Sequence, residues 1–166
     1  MHLLIDGYNL LHVNRSSTHF NSVQLQWERE RLIDRLSTYQ KLRPREVTVV
    51  FDGWQEGWST ETKEKKKGIE IIFSKVGEKA DEVIKRLVKE KGSGAVVITS
   101  DREVARFAQR MDVAVISSEQ FREKLEEGSQ TREENPEEEE SGMKKKGPSR
   151  RLSKEEKRAR AASKKL

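Results

Sequence analysis

Four aspartates recur at matching points of an alternating pattern, and they are the residues best placed to do chemistry. Leu3-Leu4-Ile5 runs into Asp6, Val47 to Phe51 runs into Asp52, and Ala95 to Thr99 runs through Ser100 into Asp101. Asp81 opens an amphipathic segment. If the apolar runs are parallel strands, their carboxyl ends share one edge of a sheet, and open α/β sheets bind ligands at that edge. Helices start on the same edge, which brings Asp81 there too. Carboxylates gathered in one crevice repel one another unless a cation sits among them. Hard, oxygen-seeking ions such as Mg2+ suit such a cluster and commonly act on phosphates. Asn9 lies three residues beyond the first acid, and Gly7 between them permits a sharp turn and a close ligand approach.

Each acid also has a plain structural explanation. Asp6-Gly7 and Asp52-Gly53 are turn dipeptides. Asp81 is an acid in a first helical turn, where the macrodipole favours it. Asp101 follows a strand and can cap the next helix. Asn9 reads equally as a turn residue. It is the joint placement that points to function, because a sheet gains nothing from four like charges in one crevice without a cation to offset them.

The elements that must position these residues can be read from periodicity. Residues 2–6 form a first strand, and 7–22 read as a polar loop. Leu25, Leu32, Leu36, Tyr39 and Leu42 mark a helix that Pro44 ends. Residues 46–52 form a second strand, 53–68 a loop, and 69–74 a third strand. Ala80, Val83, Ile84, Leu87 and Val88 give a second helix. Residues 95–100 and 113–116 are two more strands, separated by a short helix around Val104 and Ala108. Ser117 with Gln120 forms a capping box for a last helix. Continuous apolar strands alternating with amphipathic helices predict a mainly parallel, five-stranded sheet covered on both faces, a three-layer α/β/α sandwich.

Of the 166 residues, 38% are charged and 33% hydrophobic, and the charge is unevenly spread. Residues 1–128 carry 22 Lys+Arg and 21 Asp+Glu. Residues 129–143 hold six glutamates and one arginine, and 144–166 hold eleven Lys+Arg and two glutamates. The expected organisation is therefore a domain over 1–128 and a charged tail over 129–166, disordered or helical only on binding. Without cysteine, thiolate zinc sites and cysteine nucleophiles are excluded. The N-terminus lacks a signal-peptide pattern and no stretch approaches a membrane span, so the chain reads as soluble and cytoplasmic, with no membrane partner. No Gly-rich phosphate loop is present, which argues against a nucleotide cofactor. Asp6 is followed by Gly7 and Tyr8, so neither the paired acids of a receiver domain nor the Asp-x-Asp of a haloacid-dehalogenase phosphatase is present.

Leu-Leu-Ile-Asp-Gly-Tyr-Asn at 3–9, Val-Val-Phe-Asp-Gly at 49–53, Lys-Ala-Asp-Glu-Val-Ile at 79–84 and Val-Ile-Thr-Ser-Asp at 97–101 occur in that order. With these motifs, residues 1–127 resemble the NYN domain, and more narrowly the YacP-like branch of bacterial ribonucleases, related to PIN-domain nucleases. The resemblance implies a PIN-like fold and a Mg2+- or Mn2+-dependent endoribonuclease. It matches Asp6, Asp52, Asp81, Asp101 and Asn9 to catalytic positions. Asp6 and Asp101 are the expected direct metal ligands, Asp81 a ligand or water-positioning group, and Asp52 a carboxylate that either supports those ligands or binds a second ion. For some members it implies action on messenger RNA at the ribosome.

An acidic site repels a nucleic-acid backbone, so cations must flank it. Candidate RNA contacts are Trp54, Trp58, Lys63, Lys65, Lys66 and Lys67 in the 53–68 segment, together with Arg15 and Arg102. Lys75 and Lys79 lie near the same edge, and the basic tail would add salt-sensitive affinity. Solvated lysines and tryptophans covering a sheet edge are the bland alternative. The competing functional class is a non-catalytic RNA- or ribosome-binding adaptor on a nuclease-like fold.

Overall fold

In the computed structural model, residues 1–13, 21–53 and 57–133 are described, with side chains to 127. The expected contacts from Arg15 and Trp54, and the tail from 134 onward, lie outside the described residues. The chain runs β1 (His2–Asp6), α1 (Gly7–His12), α2 (Ser22–Leu42), β2 (Glu46–Phe51), β3 (Thr62–Lys66) and β4 (Ile69–Phe73). It continues through α3 (Ala80–Lys91), a 3-10 turn (Gly92–Gly94), β5 (Ala95–Ile98), α4 (Arg102–Arg110), β6 (Ala114–Ile116) and α5 (Ser118–Glu133).

Strands β1, β2, β4 and β5 are apolar and almost wholly buried because helices cover both sheet faces. The sheet order is β3-β4-β2-β1-β5-β6, and only β3 runs antiparallel to its neighbour. Alternate strand residues separate two cores. Leu3, Ile5, Val47, Val49, Phe51 and Ile98 meet Leu32, Leu36, Tyr39, Phe121 and Leu125 of α2 and α5, with Leu10 and Leu11 of α1. Leu4, Val50, Ile72 and Val97 meet Val83, Ile84 and Val88 of α3 and Val104 and Ala108 of α4. The result is the expected three-layer α/β/α sandwich with a mostly parallel sheet.

Two segments read from the sequence as loops are ordered elements, and the sheet has six strands rather than five. Helix α1 has only six residues, too few to show a helical period, and Asp6 caps it. Strand β3 has the sequence Thr-Lys-Glu-Lys-Lys and is mostly exposed. An edge strand does not need an apolar face, and lysines along it discourage further pairing. Leu42, expected on the apolar stripe of α2, is 54% exposed where that helix ends.

The chain reverses its direction of travel across the sheet at β1. It moves from β1 through β2 to β4, then returns through α3 to place β5 on the other side of β1. This is a topological switch point, and the crevice beside it is where such sheets receive ligands. The glycines after Asp6 and Asp52 serve the packing there. A Cβ on Gly7 would lie 2.3 Å from the Phe51 ring, and one on Gly53 would lie 1.9 Å from the Ser74 carbonyl oxygen. Gly53 also donates its N–H to Ser74 Oγ at 3.1 Å. The close approach expected of Gly7 is thus made by an aromatic ring of this chain. Gly53→Ala is expected to lower the free energy of unfolding by about 1–3 kcal/mol, the usual cost of overpacking. Urea denaturation followed by circular dichroism checks it, and an unchanged midpoint would show that the backbone contact yields freely.

Candidate active site

Strand register places the acids. Asp6 is level with Val50 of β2 on one side. On the other side Ile5 is level with Ile98, which sets Asp6 beside Thr99. Asp52 and Asp101 therefore lie two residues beyond that level on the strands flanking Asp6. Asp81 stands in the first turn of α3.

The plain structural explanations hold together with the clustering. Asp6 Oδ1 accepts the Asn9 N–H at 3.1 Å, capping α1, and Oδ2 accepts the Thr99 hydroxyl at 3.3 Å. Asp101 Oδ1 accepts the N–H groups of Glu103 and Val104 at 2.7 and 3.0 Å, capping α4. Asp52 Oδ1 accepts the Ala80 N–H at 2.6 Å. That bond satisfies the start of α3, whose own N-cap, Lys79, makes no side-chain capping bond. Three helix starts are thus each held by an aspartate, and Asp81 accepts no hydrogen bond among the described residues.

Crowding shows in the acidity of two groups. Asp6 is 7% exposed, and its carboxyl is pushed from the ordinary 3.8 up to about 6. Burial is the main cause, with repulsion from Asp81 and Asp52 adding to it and the bonds from Asn9 and Thr99 opposing it. Asp81 is raised by burial first, then by Asp101 and Asp52, while Lys85 pulls it down. The four acids therefore share one electrostatic environment.

Asn9 is a bridge. Its Oδ1 accepts the Ser100 N–H at 2.8 Å and the Ser118 hydroxyl at 2.6 Å, joining α1 to the β5–α4 connection and to the start of α5. Ser100 donates its hydroxyl to Glu119 at 2.5 Å, and that bond is the main reason the Glu119 carboxyl sits low. Ser117 and Gln120 exchange the expected capping-box bonds. Glu119 and Ser118 were not singled out from the sequence. A glutamate in a first helical turn is ordinary, and only the strand order brings it to Ser100.

A row of rings adjoins the acids on the α1–α2 side. Tyr8 meets Phe51 edge-on at 5.1 Å, Phe51 stacks with Phe73 at 5.7 Å, and Phe73 stacks with Trp58 at 6.4 Å. Trp58 is 41% exposed, and Arg29 lies over Phe73 at 5.3 Å. Trp58 thus stands at the acid-bearing end of the sheet. The lysines of β3 divide by position. Lys63 pairs with Ile72 towards that end, whereas Lys66 pairs with Ile69 at the far end. Lys66 binds Glu30 at 3.2 Å and Lys67 binds Asp34, so both tie the β3–β4 hairpin to α2. Lys63 is paired with Glu61 at 3.4 Å. Lys65 is exposed opposite Glu70. Arg102 is exposed at the first position of α4, beside Asp101.

Among the described residues, no three His, Cys, Asp or Glu side chains close on one point as a metal-ligand set. The donor chemistry nevertheless fits a hard divalent ion, since crowded and partly desolvated carboxylates are stabilised by a cation among them. A magnesium ion commonly keeps several of its waters, so carboxylates spaced around a crevice can hold it through that shell.

The family description "YacP-like NYN domain" matches residues 3–164, beyond the 1–127 suggested by the motifs. The uncharacterized protein YacP of Bacillus subtilis (strain 168) is 32% identical over 102 residues. That stretch spans 60% of this chain and 59% of that protein, less than two thirds of its length. A crystal structure of Rae1 (YacP) from Bacillus subtilis is similar with a TM-score of 0.62 and 27% identity, covering 80% of this chain and 77% of that one. A tryptophan-to-leucine mutant of Rae1 gives a TM-score of 0.67 at 24% identity, covering 80% and 79%, which is a likeness of fold.

The Asp6 shift fixes the sign of a pH effect. The folded chain holds this proton up to about pH 6, the unfolded chain only to about 3.8. Stability is therefore lost as pH rises across that window, by about 3 kcal/mol for two pH units. In chelator, thermal melts from pH 4 to 7 should show Asp6→Asn gaining on the wild type as pH rises, by about that amount at neutrality. Parallel curves would mean that Asp6 titrates normally.

Proposed function

This chain belongs to the YacP-like NYN domain family, with the PIN-like nuclease fold that the family implies, and on that premise we propose that it is a metal-dependent endoribonuclease. The observation that carries the proposal is the position of Asp6, Asp52 and Asp101 at the carboxyl ends of adjacent strands, with Asp81 in the first turn of α3, at the switch point of the sheet. A pure binder of phosphate has no use for four acids facing its ligand. Asp6, Asp81 and Asp101 would hold Mg2+ or Mn2+, with Asp52 beside them. The ion would supply neutralisation of the scissile phosphate and acidification of a water molecule.

The chain's own residues do the rest. Asp6 is buried and doubly hydrogen-bonded, so its carboxylate is fixed before substrate arrives. Asn9 keeps the β5–α4 connection in register with α1. Attack of a water oxygen on phosphorus in line with the 3′-oxygen breaks the P–O3′ bond. The departing oxygen takes a proton, giving a 3′-hydroxyl and a 5′-phosphate. The exposed face of Trp58 offers a base a surface to stack on, and Arg102 and Lys63 offer charge to the flanking phosphates. The substrate class is RNA, with messenger RNA at the ribosome as the setting and the cytoplasm as the compartment.

The absence of a closed ligand set among the described residues favours the second reading, an RNA- or ribosome-binding adaptor that does not cut. One assay separates the two. Labelled single-stranded RNA is incubated with the protein in Mg2+, Mn2+ or chelator, alone and with ribosomes. Cutting should require the ion, and Asp6→Asn should reduce it at least ~100-fold, roughly 2.7 kcal/mol of barrier. Equal cutting in chelator, or by the variant, would refute the metal-dependent mechanism. No cutting under any condition would favour the adaptor. Divalent ions should also raise the melting temperature of the wild type and leave that of an Asp6→Asn/Asp101→Asn chain unmoved, as measured by calorimetry at neutral pH.

A further inference from the structure

Resting on the nuclease reading, we propose that the exposed face of α4 is a track for the phosphate backbone of the RNA strand leaving the acidic crevice. Arg102, Arg106 and Arg110 recur every four residues on this nine-residue helix and so form one stripe. All three are exposed, and with Gln109 and Glu103 they line one open surface groove. None of the three has an ion-pair partner among the described residues. Glu103, the one acid in the groove, is engaged by Lys85 at 2.5 Å. Several cations elsewhere are occupied, Lys66 by Glu30, Arg86 by Glu61 and Glu78, and Arg122 by Glu126, whereas the three on α4 stand together and unpaired.

The stripe works against the stability of its own helix. Like charges four residues apart repel, by about 0.2–0.5 kcal/mol per pair on an exposed helix. Arg102 stands at the first helical position, where the macrodipole disfavours a cation. Only Arg110, in the last turn, sits where the dipole favours it. Asp101 and Glu103 favour the start of the helix, but neither forms an ion pair with an arginine of the stripe, so the stripe's charge is left to meet an anion from outside. The anion must be extended, because successive arginines are about 6 Å apart along the axis at 1.5 Å of rise per residue. A sugar–phosphate backbone presents charge at comparable intervals. The stripe also begins beside Asp101, which caps the same helix, so a strand on it leads straight to the acids.

The test reads binding in chelator, where the outcome does not depend on whether the protein cuts. The full chain and Arg106→Gln/Arg110→Gln are titrated with a fluorescent 30-nucleotide single-stranded RNA over a salt series. Glutamine matches arginine closely in helix propensity, so the fold is retained, and circular dichroism checks this. Each lost phosphate contact should flatten the plot of log K against log salt by about 0.7, so the double variant should lose about 1.4. Arg106→Lys/Arg110→Lys should restore the slope. Lys41→Gln/Arg45→Gln, which removes as much charge at the opposite edge of the sheet, should change it far less. An unchanged slope in the arginine variant, or an equal change in the far-edge control, would overturn the assignment. Metal-dependent cutting that survives with an unchanged slope would leave the nuclease reading standing without the track.

Discussion

Every helix begins with backbone N–H groups that the helix itself cannot satisfy, and at the carboxyl edge of this sheet three helices begin close together. Asp6, Asp52 and Asp101 answer that need at α1, α3 and α4. The same bonds fix where each carboxylate points. By using aspartate at these three starts, where Asn21 and Ser117 serve α2 and α5 without charge, the fold also concentrates negative charge, and burial falls hardest on Asp6. Structural duty and chemical potential reside in the same atoms, so the turn, cap and dipole explanations of these acids do not compete with a functional one.

The rest of the site follows from how those helix starts are tied together. Asn9 carries one end of α1 to the β5–α4 connection and to α5, and Thr99 carries Asp6 to the start of the Asp101 cap. Gly7 and Gly53 let the Phe51 ring and the Ser74 carbonyl fill the space behind the acids. Cations stay off the acids themselves. Lys66 and Lys67 hold the hairpin to α2, and Lys85 joins α3 to α4 beside Asp81. Along α4, Arg102, Arg106 and Arg110 have no ion-pair partner among the described residues.

The fold was legible where burial dictates composition. Strands covered on both faces must be apolar, so β1, β2, β4 and β5 stand out, as does α3 with its five buried residues at helical spacing. It was not legible where burial makes no demand. Thr62 to Lys66 pairs through its backbone and shows only lysine and glutamate to solvent, and Gly7 to His12 is too short to show a period, being held by a cap, two leucines and contacts from Tyr8 and Asn9 to distant residues. The acids were legible because each ends a strand or opens a helix. The ring row of Tyr8, Phe51, Phe73 and Trp58 was not, and neither were the bonds from Asn9 to Ser100 and Ser118. Those partners lie 91 and 109 residues away along the chain and meet only through the strand order.

The bond from Asp52 to the Ala80 N–H spans 28 residues and fastens the two ends of a long excursion. Within it, β4 is fixed against β2 and β3 against β4, and Trp58, in the segment ahead of β3, accepts the Val76 N–H on its carbonyl at 2.8 Å. Changing the length of a surface loop costs little free energy once its ends are anchored. The stretch between Asp52 and β3 can therefore change in length at little cost while the clasp holds, so the stacking surface beside Trp58 can be reshaped without moving the acids.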